Sequence, residues 1–301
     1  MNFKFSNYLI ALRAWSAPAS TMPALAAFSY YFYKHFTSNI AVNWTLGALA
    51  ILGAFIFHMG ANLVSDYFDF RQGVDRKETY GSSRLLVDGV MQPKTILWYG
   101  VAFLFVGCVL GVFLWRNTGN NLLWIGVAGL VGSFFYYKFK FNALGDLLIF
   151  VIFGQLVALG TGFVMTSSLN FTLLLVSAPI GFLVVNILHS NNLRDIKHDG
   201  QANIRTQAMV IGLRASKIQY FTLSALAYLF VIGMIICGIL SVWSALVLLT
   251  VPISIKNCKR ITTAEIEKPE NIKDMDTESA KLVLMFSLLL ILSNFIAGIL
   301  K

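Results

Sequence analysis

Two short stretches carry side chains able to share a metal ion. In the first, Asn62-Leu-Val-Ser-Asp66-Tyr-Phe-Asp69, the trio Asn62, Asp66 and Asp69 has i, i+4, i+7 spacing; in the second, Asn191, Asp195 and Asp199 are spaced by four. On a helix each trio shares one face. Each also closes an apolar run, where the helix dipole disfavours anions by a few tenths to ~1 kcal/mol and carboxylates a turn apart repel one another. Bilayer depth adds to that cost, up to roughly 2.5–3.5 kcal/mol per ionised acid at the centre. A divalent cation offsets these terms. Hard oxygen ligands suit Mg²⁺ or Ca²⁺, and Mg²⁺ takes one or two carboxylates before completing its shell with phosphate oxygens and water. Two such clusters match a diphosphate held between metal ions. Ion pairing with nearby arginines accounts equally well for either cluster alone, but two copies of one pattern on one membrane face favour the metal.

Counter-charge lies in the neighbouring loops. Arg84 sits in Gly81-Ser-Ser-Arg84-Leu-Leu-Val-Asp88, and Tyr137 and Lys140 lie a helical turn apart in Tyr136-Tyr137-Lys138-Phe-Lys140. Arg84 and Lys140 are placed to receive a departing diphosphate, and Tyr137 to face the cation left behind. Membrane anchoring explains either basic residue by itself. Arg13, Asn192 and Arg194 are further substrate-binding candidates. His58, one turn before Asn62, either lines the same pocket or is a hydrogen-bonded interior histidine, and the second account is the simpler. His189 and His198 adjoin the second cluster without an H-x3-H or HExxH pattern. Cys108, Cys237 and Cys258 form no CxxC pair.

These residues need apolar helices to hold them. Hydrophobic residues are 57% of the 301, and charged residues only 12%, about half the charge of a soluble domain. Runs of spanning length predict an all-α integral membrane fold of about nine helices: 10–33, 44–66, 95–115, 121–137, 145–166, 171–191, 219–238, 240–255 and 280–300. Pro18 and Pro23 are expected to kink the first. Arg13 and those prolines also interrupt what would be the apolar core of a cleavable signal. The whole of 1–301 reads as one transmembrane domain.

Connections alternate between two kinds. Loops 67–94, 138–144, 192–218 and 256–279 are rich in lysine and arginine, whereas the opposite set has little beyond Lys34, Arg116 and Lys301. The net charge of +9 therefore reads as a topology signal rather than a nucleic-acid surface, with the N-terminus and the acidic motifs in the cytoplasm. The segment 256–279 reads as a solvated connector.

Taken together, the two motifs, the number of spans and the run from Ala11-Leu-Arg13 to the last span resemble the UbiA superfamily of intramembrane prenyltransferases. Within it, Asn62 to Asp75, Arg84-Leu-Leu-Val-Asp88, Ala143-Leu-Gly-Asp146 and Asn192-Leu-Arg194-Asp195 look most like the menaquinone-type branch. That branch includes bacterial 1,4-dihydroxy-2-naphthoate prenyltransferases and the animal menaquinone-4 enzyme. One departure is that Gly200-Gln-Ala-Asn-Ile-Arg205-Thr206 lacks the basic residue the family usually places before the Arg/Lys-Thr pair. The resemblance implies a UbiA-like bundle with cytoplasmic cap loops in a bacterial cytoplasmic membrane. It also implies Mg²⁺ on Asp66, Asp69, Asp195 and Asp199. A polyprenyl diphosphate would lie against Asn62, Asn191, Arg84, Tyr137 and Lys140, and an aromatic acceptor would complete the reaction. The competing readings are another acceptor (4-hydroxybenzoate, haem, lipid glycerol), a terpene cyclase on the same scaffold and, from a different class, a transporter. A transporter is expected to keep such acids at mid-membrane. A CDP-alcohol phosphotransferase is set aside for want of a D-G-x2-A-R run.

Overall fold

Residues 5–77, 80, 83–134, 138–139, 142–201 and 204–301 are described by the structure, a computed structural model; the side chains of 133 and 134 are not. The short α1 (Phe5–Ala11) is followed by a turn at Ala14–Ser16 and then α2 (Pro18–Ser38) and α3 (Trp44–Arg71). Next come α4 (Pro93–Thr118), α5 (Asn120–Phe134) and α6 (Gly145–Thr166), the last containing a π-helical segment at Phe150–Leu156. The chain continues through α7 (Thr172–Arg194), the short α8 (Ile196–Gln201) and α9 (Gln207–Ile236). A 3-10 helix at Val242–Thr250 runs into α10 (Val251–Thr262), and α11 (Met275–Ile299) closes the bundle.

Among the described residues, six helical stretches are long and apolar enough to cross a membrane: α3, α4, α6, α7, α9 and the stretch ending in α11. The first, fourth and eighth expected spans are helical but fall outside that group. α2 carries many serines and tyrosines, α5 is described only as far as Phe134, and the eighth splits between a 3-10 segment and the basic α10. Neither does the first span form one kinked helix. The chain breaks at Arg13, which adopts a left-handed φ of 51°, and Pro18 opens α2, where its missing N–H costs nothing. Asn43 starts α3 by accepting the Leu46 N–H at 3.0 Å.

The largest buried cluster joins α2, α6, α7, α9 and α11 around Tyr31, Leu173, Ile180, Val231 and Phe286. α6 and α7 approach closely because Gly154 meets Gly181: a Cβ on Gly154 would lie 2.8 Å from the Gly181 Cα. α4 and α5 leave much of their apolar surface outward, with Trp98, Phe105 and Trp124 each more than two-thirds exposed, as lipid-facing helices do.

The charged connections pack more than their composition suggests. Leu85, Leu86 and Met91 of the first are buried against Ala11, Leu12, Met59 and Leu63. Residues 207–218, expected as loop, continue α9 beyond its apolar part, with a break at Gly212 (φ 80°). Arg214 faces outward from that extension and the half-buried Lys217 donates to the Thr262 carbonyl at 2.8 Å, so neither charge is left unsatisfied by helix formation. The supposed solvated connector 256–279 is likewise corrected: Ile261, Ala264, Ile272 and Met275 form a buried cluster with Leu193 and Tyr220 directly beneath the second acidic motif.

Candidate active site

Both acidic motifs lie at one end of the bundle, and the loops at that end bond to one another. Arg76 of the first loop donates to the Gln201 side chain at 3.5 Å. Tyr80 presents its ring to the Arg194 guanidinium at 5.6 Å. The Ala143 N–H reaches the Arg205 carbonyl at 3.0 Å, and Lys197 pairs with Glu267. Loop 72–92 therefore crosses from the helix bearing the first motif to the helix bearing the second.

The first half-site is built where α3 passes the α1–α2 junction. Asp66 is almost fully buried. One carboxylate oxygen pairs with Arg13 at 3.0 Å and the other accepts the Ser83 N–H at 3.2 Å. The left-handed turn at Arg13 lets the chain double back, so that Ser16 accepts the Asn62 amide at 2.9 Å. Asp69 accepts from Ser65 at 3.2 Å, and its carbonyl receives the Val74 N–H at 2.9 Å, closing the end of α3. His58 bears out the simpler account: it is buried, bonded to Ser20 at 2.9 Å, with its ring against Phe153.

The second half-site continues from α7 into α8 with little interruption, since the Asp199 N–H donates to the Asp195 carbonyl at 2.7 Å. Arg194 grips the Asp195 carboxylate through two nitrogens at 2.9 and 2.7 Å. The same guanidinium donates to the Lys273 carbonyl at 2.9 Å and pairs with Asp276 at 3.5 Å. Arg194 is 3% exposed, and these bonds run within the protein. Asn192 also turns inward, to Asp146 at 3.1 Å. Asn191, by contrast, has a buried side-chain oxygen with no partner among the described residues. Asp199 is buried as well.

Of the other expected site residues, Arg84 bonds Asp88 at 3.3 Å and the Lys77 carbonyl at 3.4 Å. Tyr137 and Lys140 lie outside the described residues. Sequence reasoning missed Asp276, which lay inside a stretch taken for solvated, and treated Asp146 and His189 as bystanders. An acid just before an apolar run was the one available signal for Asp276.

Among the described residues, no three His, Cys, Asp or Glu side chains converge as a ready-made metal cage. Such a cage suits an ion held by protein alone. Mg²⁺ shared with a phosphate needs fewer carboxylates, and paired acids with an unpartnered buried amide oxygen fit that donor set.

Residues 20–272 match the model of the UbiA prenyltransferase family. The human UbiA prenyltransferase domain-containing protein 1 is 35% identical over 259 residues, 83% of this chain and 74% of that one. Its Drosophila melanogaster homologue is 30% identical over 299 residues, 96% and 79% of the two chains. Among solved structures, a UbiA homologue from Aeropyrum pernix superposes with a TM-score of 0.66 at 15% identity, covering 90% of this chain and 97% of that one. One from Archaeoglobus fulgidus, solved with DMAPP and Mg²⁺, gives 0.65 at 13% identity, covering 98% and 100%. With the fold shared and the family model spanning both acidic motifs, this chain belongs to the UbiA prenyltransferase family and is a multi-pass integral membrane transferase.

Proposed function

We propose that this enzyme transfers a polyprenyl group from an allylic polyprenyl diphosphate to 1,4-dihydroxy-2-naphthoate, as in menaquinone biosynthesis. The observation carrying the reading is the pair of N-x3-D motifs at one end of the bundle, each with its aspartate held by a buried or half-buried arginine and with one loop touching both. The Archaeoglobus homologue solved with DMAPP and Mg²⁺ supports the same ligand classes here. The naphthoate acceptor rests on the menaquinone-type stretches of the sequence and on relatives such as the human protein.

In this reading Asp66, Asp69, Asp195 and Asp199 hold Mg²⁺, with Asn62 and Asn191 completing the two half-sites. Bound there, Mg²⁺ would neutralise charge accumulating on the departing diphosphate. Arg84 and Lys140 bind the same leaving group. Breaking the allylic C–O bond leaves a carbocation, which the family resemblance gives Tyr137 to stabilise and which apolar surroundings would shield from water. The ring carbon bearing the naphthoate carboxylate attacks that cation, and loss of CO₂ returns the bonding pair to the ring. The lysines and arginines of the loops at the motif end support a cytoplasmic orientation for it under the positive-inside rule.

Purified protein with Mg²⁺, a polyprenyl diphosphate and a panel of acceptors, read by mass spectrometry, tests this. The expected result is a prenylated, decarboxylated naphthalenediol, with diphosphate release falling about 10²–10³-fold in Asp66→Ala and Asp195→Ala. Product from 4-hydroxybenzoate or a lipid glycerol instead would overturn the acceptor. No diphosphate release with any acceptor, or undiminished release in both variants, would overturn the transfer reaction itself.

A further inference from the structure

Beneath the second motif lies a buried polar cluster that the proposed reaction does not use. Asp146, in the first turn of α6, is 3% exposed and accepts three bonds. One oxygen takes Asn192 at 3.1 Å; the other takes His189 at 2.7 Å and Gln219 at 2.9 Å. The second His189 ring nitrogen faces the Ser216 carbonyl at 3.0 Å. Each ring nitrogen therefore meets an oxygen, and the Gln219 amide also lies 3.3 Å from Nδ1. One carboxylate thus ties together α6, the last turn of α7 and α9.

Helix geometry gives the cluster its meaning. His189 and Asn192 are i and i+3 on α7, so they stack on one face and reach a single partner. At about 100° per residue, that face lies roughly a third of a turn from the one shared by Asn191 and Asp195. Arg194, bound to Asp276 and the Lys273 carbonyl, lies about a quarter of a turn to the other side. The second motif is held on both flanks, with Asn191 and Asp195 half-buried between them. The carboxylate meets this cluster with one oxygen toward Asn192 and the other toward His189 and Gln219, and an amide at 146 would replace one of those acceptors by a donor.

We propose that Asp146 is a positioning residue of the second motif, acting through His189 and Asn192 to fix the rotation of the helix end that presents Asn191 and Asp195 to the diphosphate. This rests on the prenyl-diphosphate reading above. Asp146→Asn is the sharp variant, because its amide sets a donor against another donor. Two readouts separate the claims. Hydrogen exchange without substrate should quicken across residues 189–199 and stay unchanged across 58–70. In turnover, the KM for the polyprenyl diphosphate and the half-saturating Mg²⁺ should each rise about tenfold or more, with the acceptor KM within twofold. A merely structural loss would lower the amount of active enzyme and move neither constant. Asn192→Ala deletes one bond and leaves the His189–Asp146 pair, giving a milder version if Asp146→Asn does not fold. Asn294→Ala, which breaks a buried bond to Ser29 elsewhere, is the control. Unchanged exchange at 189–199, equal quickening at both motifs, or unchanged donor and Mg²⁺ constants would each overturn the proposal. If wild-type protein shows no donor turnover, the prenyl-transfer reading fails, and the exchange result alone decides whether Asp146 fixes the helix end.

Discussion

The two half-sites share a motif and differ in what supports it. Asp66 is held by a backbone N–H of the 72–92 loop and by Arg13, which projects from a left-handed turn between helices and is itself 20% exposed along its side chain. Asp195 is held by an arginine buried to 2% along its side chain and bonded onward to α11 and the segment before it, with the Asp146 cluster on the other flank. One half leans on connecting segments around a deeply buried Asp66; the other leans on a buried guanidinium tied to two further elements around a less buried Asp195. Similar N-x3-D patterns thus rest on two different kinds of support. A site that must admit and release a diphosphate while keeping its geometry benefits from that division.

Removing the arginines tests the contrast most severely. Arg194→Ala strands Asp276 and loosens Asp195, and is expected to cost about 3–5 kcal/mol in thermal or denaturant unfolding in detergent. Arg13→Ala leaves Asp66 its Ser83 bond, and the expected loss is about 1–3 kcal/mol, with a larger effect on turnover than on unfolding. Equal losses at the two arginines would erase the distinction between the two supports. Ser16→Ala removes the partner of Asn62, a single bond worth about 0.5–1.5 kcal/mol, visible as a modest rise in donor KM. The exposed Lys197–Glu267 pair beside the second motif sets the floor: Lys197→Ala should stay within about 1 kcal/mol of wild type.

Much of this was legible from residue order because helices announce themselves by apolar runs. The positions of α3, α4, α6, α7 and α11 follow directly, as does the placement of Asp66 and Asp195 at their ends. The supports were not legible, for a physical reason. Contacts such as Arg13 to Asp66, Asp146 to His189 and Arg194 to Asp276 join segments 53, 43 and 82 residues apart. They have no period, and a polar residue bound inward looks in sequence like one facing water. The connector 256–279 misled in that way, since its charges are conspicuous and its buried Ile261, Ile272 and Met275 are sparse. Arg194 shows the same limit: the bonds that tie it to Asp276 and the Lys273 carbonyl, 82 and 79 residues away, have no trace in the local sequence.

The π-helical segment at Phe150–Leu156 carries a consequence for the way α6 is phased. A π turn takes in more residues than an α turn, so side chains after Leu156 are rotated relative to an uninterrupted helix begun at Gly145. Asp146, before the segment, faces α7 and α9, while Gly162, after it, fits against Leu173 and Tyr31. A single α-helical wheel drawn through 145–166 cannot satisfy both alignments. The segment works as an angular offset between the motif-bearing end of the bundle and its apolar middle. Forcing the same residues into an uninterrupted α-helix would turn one end by about 100° against the other, leaving the amino acids that matter in place by type and misdirected in space.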